Sequence, residues 1–201
     1  MKLNKKTVTT VLAFMLAIGA AVGGTMAWLT AESTDVTNTF TIGDITIALD
    51  ESVSDSDNEM TVDYHFVPGD EITRDPRVTV NAGSEANYLF INVTEDNNTI
   101  AGLTGKVLNY DVDDAIWTAV AGQDTLYCVE VSQSEAESGK TFEIIKDDKV
   151  TVNEDITKDM VTIINTDATK PTISFDAFAH QSKNTDLATA TAAAIGHFGL
   201  N

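Results

Sequence analysis

Val36-Thr37-Asn38-Thr39-Phe40-Thr41-Ile42-Gly43-Asp44-Ile45-Thr46-Ile47-Ala48-Leu49 sets apolar against polar residues in a two-residue rhythm. Val36, Phe40 and Ile42 share one parity, with Asn38 between them, and Ile45, Ile47 and Leu49 take the other. Side chains of an extended chain alternate between faces, so the stretch is strand-forming. The phase flips at Gly43-Asp44, which implies a bulge or tight bend joining two strand halves.

Downstream, residues 50–59 read as an acidic loop, and strand-like runs follow at 61–67, 77–80, 88–94, 106–112, 126–131, 141–145, 149–152, 160–165 and 172–179. Turn signals separate most of them: Pro68-Gly69-Asp70, Asn81-Ala82-Gly83-Ser84, Glu95-Asp96-Asn97-Asn98, Ala121-Gly122-Gln123-Asp124 and Lys146-Asp147-Asp148. About ten short strands without long intervening helices predict an all-β fold, an antiparallel jelly-roll-like β-sandwich. Two segments break the pattern. Residues 153–158 read as one helical turn. Residues 185–198 read as a short C-terminal helix, capped by Asn184 or Thr185, with Leu187, Ala190, Ala194, Ile195 and Phe198 along one side. That helix lacks the Lys and Arg of membrane-surface helices, so its apolar side is expected to pack on the sheets.

Upstream, Lys2, Lys5 and Lys6 precede a nearly apolar run from Val8 to Val22, and Gly23-Gly24-Thr25-Met26-Ala27 supplies small residues. This is the order of a signal peptide over 1–27, cut between Ala27 and Trp28 with Thr25 and Ala27 in the small pockets of a signal peptidase. The alternative is an uncleaved anchor, since the run extended to Leu29 approaches the roughly 20 residues that span a bilayer. No later stretch is long and apolar enough to do so as a helix, so no stable membrane insertion is expected after cleavage. Residues 28–201 then form one domain, of which 28–49 is the N-terminal strand region.

Acidic residues outnumber basic ones 31 to 12, and loss of the three leader lysines takes the formal net charge from −19 to −22. Such a chain repels nucleic acid and anionic headgroups, and opposes close packing of its own copies unless the charge is screened. The single cysteine, Cys128, excludes an internal disulfide framework and reads as a small buried hydrophobe.

Catalytic signatures are missing. The three histidines, His65, His180 and His197, include no pair at zinc-protease spacing, and no Gly-x-Ser-x-Gly or phosphate-cradling loop occurs. Calcium is the best metal candidate. Asp55, Asp57 and Glu59 offer oxygens at alternate positions, and Asp111 and Asp113 form a second carboxylate cluster, though neither follows an EF-hand pattern. Acidic loop residues of this kind are ordinarily just solvated, so no cofactor is expected.

The segments 23–30 and 35–44 resemble exported Gram-positive proteins with a SipW-type signal peptide, the TasA/camelysin family of biofilm-matrix proteins. The likeness continues in Val67-Pro68-Gly69-Asp70-Glu71-Ile72-Thr73-Arg74-Asp75-Pro76, in Lys106-Val107-Leu108-Asn109-Tyr110 and in Ile173-Ser174-Phe175-Asp176-Ala177-Phe178-Ala179. The resemblance implies a jelly-roll β-sandwich, processing by a dedicated signal peptidase, and a place in extracellular fibres or at the cell surface. It further implies joining by donation of the N-terminal strand to a neighbouring subunit, itself a copy or a sister matrix protein. Because the camelysin group has been labelled a metallopeptidase family, a secreted metallopeptidase is a third reading.

The expected function is therefore that of a secreted structural protein, self-assembling through Val36, Phe40, Ile42, Gly43 and Asp44. Little charge lies in that strand beyond Glu32 and Asp35 near its start, and an edge so poorly guarded invites pairing. An extracellular binding module of the same fold is the alternative; Trp117 and Tyr88 are its candidate contacts, although core packing is the simpler reading of both. The secreted form should begin at Trp28, which intact mass measures directly. A secreted species that keeps residues 1–27, or a membrane-bound full-length chain, overturns this.

Overall fold

The computed structural model describes residues 44–51, 67–164 and 169–200, all within the unit Ile42–Asn201. In chain order these residues form β1 (Ile47–Glu51), β2 (Glu71–Thr73), β3 (Pro76–Val80), β4 (Asn87–Asp96), β5 (Leu108–Asn109), β6 (Thr118–Ala119), β7 (Leu126–Val131), α1 (Gln133–Ser138), β8 (Lys140–Glu143), β9 (Lys149–Val152), α2 (Lys158–Ile164), β10 (Thr172–Gln181) and α3 (Leu187–Phe198). The class is all-β: mostly antiparallel sheets with a few short helices.

One sheet runs β10-β4-β7-β6, with Ala177 opposite Ile91 and Phe90 opposite Cys128. A second runs β1-β3-β8 and a third β2-β9-β5. The second and third are continuous through short interruptions, since Arg74 N donates to Asp148 O at 2.7 Å and Ile144 N to Pro76 O at 3.0 Å. Between them Asp147 and Asp148 adopt φ of +56° and +53°, a left-handed pair that Asp tolerates better than bulkier residues. This excursion interrupts the ladder, so the expected strand 106–112 contracts to Leu108–Asn109 plus a single bridge from Val112 to Ile145.

Val78 and Val80 of β3, Leu89, Ile91 and Val93 of β4, Val131 of β7 and Phe142 of β8 pack into one core. The inner faces of the β10-β4-β7-β6 and β1-β3-β8 sheets thus meet there. Trp117 completes it, buried against Phe142 and donating Nε1–H to Glu143 O at 2.7 Å. On the opposite face of β4, Phe90 packs with Leu126, Cys128 and the α3 residues Ala190 and Ala194. A third cluster joins Val107, Leu108, Val150 and Val152 to Ile156 and Ile164.

Several expectations change. Residues 160–165 were expected to be a strand, but α2 occupies Lys158–Ile164, and residue 165 lies outside the described residues. Met160, Val161 and Ile164 recur at helical spacing against the third cluster, and that packing overrides the β-branched composition. The expected helical turn at 153–158 is a local turn in which Asn153 Oδ1 accepts from Asp155 N at 3.0 Å. The cap of α3 is Asp186, whose Oδ1 accepts from Thr189 N at 2.8 Å, in place of Asn184 or Thr185. Leu187, expected on the packed side, is exposed. Helix α1 was not anticipated, although Ser132 followed three residues later by Glu135 marks its start: Glu135 Oε2 accepts from Ser132 N at 2.9 Å. Of the expected strand 61–67 only Val67 is described, and it lies exposed outside any strand.

Truncating Ile91 to Ala should cost about 2–5 kcal/mol in urea denaturation, because a fully buried aliphatic side chain leaves a cavity. Ile163→Ala, at a side chain 56 % exposed, should stay within about 0.5 kcal/mol of the parent.

Candidate functional site

Strand β10 is ten residues long and pairs along its whole length with β4, from Thr172 opposite Asp96 to Gln181 opposite Asn87. On its other flank no hydrogen-bonded strand occurs among the described residues. β1 is likewise an edge strand, bonded to β3 alone among the described residues, and it lies alongside β10.

The side chains between these two edges carry the functional signal. Ile47 and Leu49 of β1, and Ile173, Phe175, Ala177 and Ala179 of β10, all pack against the main core, yet each is only half-buried. Their neighbours one strand inward, Val78, Val80, Leu89 and Ile91, are wholly buried. The apolar rim along this side of the core is therefore incompletely covered. The guards that usually blunt an edge are sparse, since β10 has no lysine or proline within it and Asp176 is its one acidic residue.

Alternation brings β1 to this position. Ile45, Ile47 and Leu49 turn inward while Asp44, Thr46, Ala48 and Asp50 are exposed, as the two-residue rhythm predicts. Asp44 anchors the entry: its carbonyl accepts from Glu85 N at 3.1 Å and its Oδ1 from Ile45 N at 2.8 Å. Buried Ser84 adds a bond from Thr46 N to its Oγ at 3.2 Å. At the far end both arginines of the chain are engaged, Arg74 with Glu51 at 3.0 Å and Arg77 with Asp75 and, at 3.9 Å, Asp50. Burial pushes the Glu51 carboxyl above its usual pKa, more than Arg74 draws it back.

Of the expected assembly residues, Asp44 alone is described. Val36, Phe40, Ile42 and Gly43 lie outside the described residues, as do Thr25, Ala27 and Trp28 of the leader junction, the calcium candidates Asp55, Asp57 and Glu59, and His65. Of the second carboxylate cluster, Asp111 is exposed, and Asp113 turns its Oδ1 to Ala115 N at 3.0 Å. The neighbouring Asp114 pairs with Lys146 at 3.0 Å. Among the described residues no group of three His, Cys, Asp or Glu could hold a metal ion. His180 lies within β10 rather than after it, and its ring and that of His197 approach Phe178 to 6.3 Å and 4.6 Å. Trp117 is core, and Tyr88 packs with the cluster beneath α3.

One polar cluster escaped the sequence reading, because only the fold unites its members. Glu95, near the end of β4, accepts from Lys106 Nζ at 2.7 Å, from Tyr110 OH at 2.7 Å and from Asn98 Nδ2 at 2.9 Å. Asn98 is buried, with Oδ1 accepting from Leu108 N at 2.7 Å and Nδ2 donating also to Leu108 O at 3.0 Å. Burial alone would raise the Glu95 carboxyl, but the bonds from Lys106, Tyr110 and Asn98 outweigh it and hold its pKa below the usual value. Tyr110 is driven the other way, by burial first and then by its bond to the Glu95 carboxylate.

No family model, curated protein or solved structure matches the chain.

Because the folded pKa of Glu95 is depressed, its contribution to stability is fully present above the unfolded carboxyl pKa of about 4.3 and is lost as pH falls through the folded value. Glu95→Gln should lower stability near neutral pH by about 1–3 kcal/mol, since a charged acceptor of several bonds is removed. It should also flatten the acid limb of the stability profile in denaturant titrations. An unchanged acid limb would assign that limb to other carboxylates.

Proposed function

We propose that the mature chain is a secreted, non-enzymatic structural protein that self-assembles in the extracellular matrix or at the surface of a Gram-positive bacterium. On this reading it is a jelly-roll β-sandwich of the TasA/camelysin kind, exported through a SipW-type signal and released by a dedicated peptidase. The observation that carries the proposal is the ten-residue flank of β10, which bonds no strand among the described residues and is backed by the half-buried row Ile173, Phe175, Ala177 and Ala179.

A strand laid along that flank gains main-chain hydrogen bonds and removes apolar surface from water, the two terms that drive strand addition. The segment 36–42 has the matching character. Val36, Phe40 and Ile42 on one parity would cover the inner row, while Thr37, Thr39 and Thr41 face outward. Gly43 supplies a residue that can turn without Cβ hindrance just before Asp44, which is fastened to the β3–β4 link. Whether the strand closes its own sheet or that of the next copy is a matter of topology, and the fibre reading takes the second.

Charge regulates the process. Copies carrying about twenty negative charges repel, so raised salt or lowered pH should speed assembly by screening or neutralising carboxylates. Deleting residues 28–43 should leave a folded monomer in size-exclusion chromatography that neither polymerises nor seeds the intact protein. The reading fails if the truncated chain forms the same fibres. It fails equally if the intact chain stays monomeric at high concentration in high salt and at reduced pH.

A further inference from the structure

The cluster around Glu95 places an amine, a carboxylate and a carboxamide in a reactive order. Lys106 Nζ lies 2.7 Å from Glu95 Oε1, and Asn98 Nδ2 lies 2.9 Å from Glu95 Oε2, so nucleophile and leaving group sit on the two oxygens of one carboxylate. The carbonyl oxygen of the same carboxamide, Asn98 Oδ1, receives Leu108 N–H at 2.7 Å. That backbone donor is on hand for the negative charge that would develop on Oδ1. We propose that Lys106 and Asn98 join in an intramolecular isopeptide bond, with Glu95 as the catalytic residue.

The chemistry balances without any further reagent. Glu95 takes a proton from the Lys106 ammonium, and the freed lone pair forms a bond to Asn98 Cγ. The carbonyl π electrons move to Oδ1, where Leu108 N–H holds them. Glu95 delivers that proton to Nδ2 and, a carboxylate once more, takes the second proton from Nζ. The Cγ–Nδ2 bond then breaks, the carbonyl re-forms, and ammonia leaves with the other proton as ammonium. A primary amide and an alkylammonium have become a secondary amide and ammonium, with Glu95 regenerated.

The surroundings favour this step at this position. Asn98, Val107 and Leu108 are buried, so the carboxamide sits away from water, while Lys106 is half-exposed and has to swing from Oε1 to reach Cγ. Tyr110 OH, 2.7 Å from Oε1, steadies the carboxylate. The ground state is a Lys106–Glu95 ion pair, so the amine must pass a proton to the carboxylate before it can attack. Asn98 follows β4 and Lys106 precedes β5, strands of different sheets. The bond would close the connection between those strands into a covalent ring at this end of the fold, a use suited to a chain with no disulfide.

The test is intact mass and tryptic mapping of the secreted full-length mature protein after prolonged incubation at neutral and mildly alkaline pH. The expected product is lighter by one ammonia, resists trypsin after Lys106, and is lost in Lys106→Arg, Asn98→Ala and Glu95→Gln. Lys106→Arg keeps the ion pair with Glu95, so loss of the product there reports the missing nucleophile rather than misfolding. A succinimide at Asn98 has the same mass deficit but persists in Lys106→Arg and leaves cleavage after Lys106 intact. That result overturns the proposal, as does full mass under every condition.

Discussion

Burial of both faces of β4 is the constraint from which the other arrangements follow. Leu89, Ile91 and Val93 point into the core shared with β3 and β8, while Phe90 points the opposite way and must be covered from outside. An antiparallel strand ordinarily leaves one face to solvent, so the second face creates a demand for a lid. α3 answers it with the small side chains Ala190 and Ala194, which let the helix approach the sheet closely above Phe90 and Cys128. The third cluster serves the β2-β9-β5 sheet in a similar way, with Ile164, Met160 and Val161 of α2 packing against Val150 and Val152.

A second constraint is charge. With two arginines in the chain, both are spent at one place, where β1 ends and β2 passes into β3. Asp75 is nearly buried there and Glu51 largely so, and neither could be left unpaired at that depth without a large penalty. The lysines are used differently. Lys106, Lys140, Lys146 and Lys149 each neutralise a carboxylate on a neighbouring loop, helix or strand. Exposed pairs of this kind add little stability one by one, but they relieve repulsion locally in a chain whose overall charge opposes compaction.

Local pattern was readable where it was bounded by turns. Leu126–Val131 and Lys149–Val152 have the bounds their alternation predicts, and β1 alternates as read. Met160-Val161-Thr162-Ile163-Ile164 misled because its β-branched residues satisfy strand and helix templates alike, and the partner that decides between them is distant in sequence. The run 106–112 was shortened by a left-handed aspartate pair some 35 residues further on, which no local signal near Asn109 announces. Strand β10 was legible as a strand. Its place at the rim was not, because strand order is a long-range property. Glu95, Asn98 and Lys106 are close in sequence, yet no motif marks them, because the path of the β4–β5 connection decides which of its side chains converge.

The position of Cys128 has a consequence for handling and storage of the protein in air. Its side chain lies beneath α3 among Ala190, Ala194 and Phe90, and burial raises its thiol pKa. Reagents that require thiolate meet it only when the helix lifts from the sheet. The helix thereby acts as a cap on the chain's one oxidisable sulfhydryl, and shortening it from the C-terminal end would hand that group to solvent. Covalent dimers seen in a non-reducing gel of such a shortened chain would then record loss of the cap, and would be mistaken for native assembly unless a reductant were added.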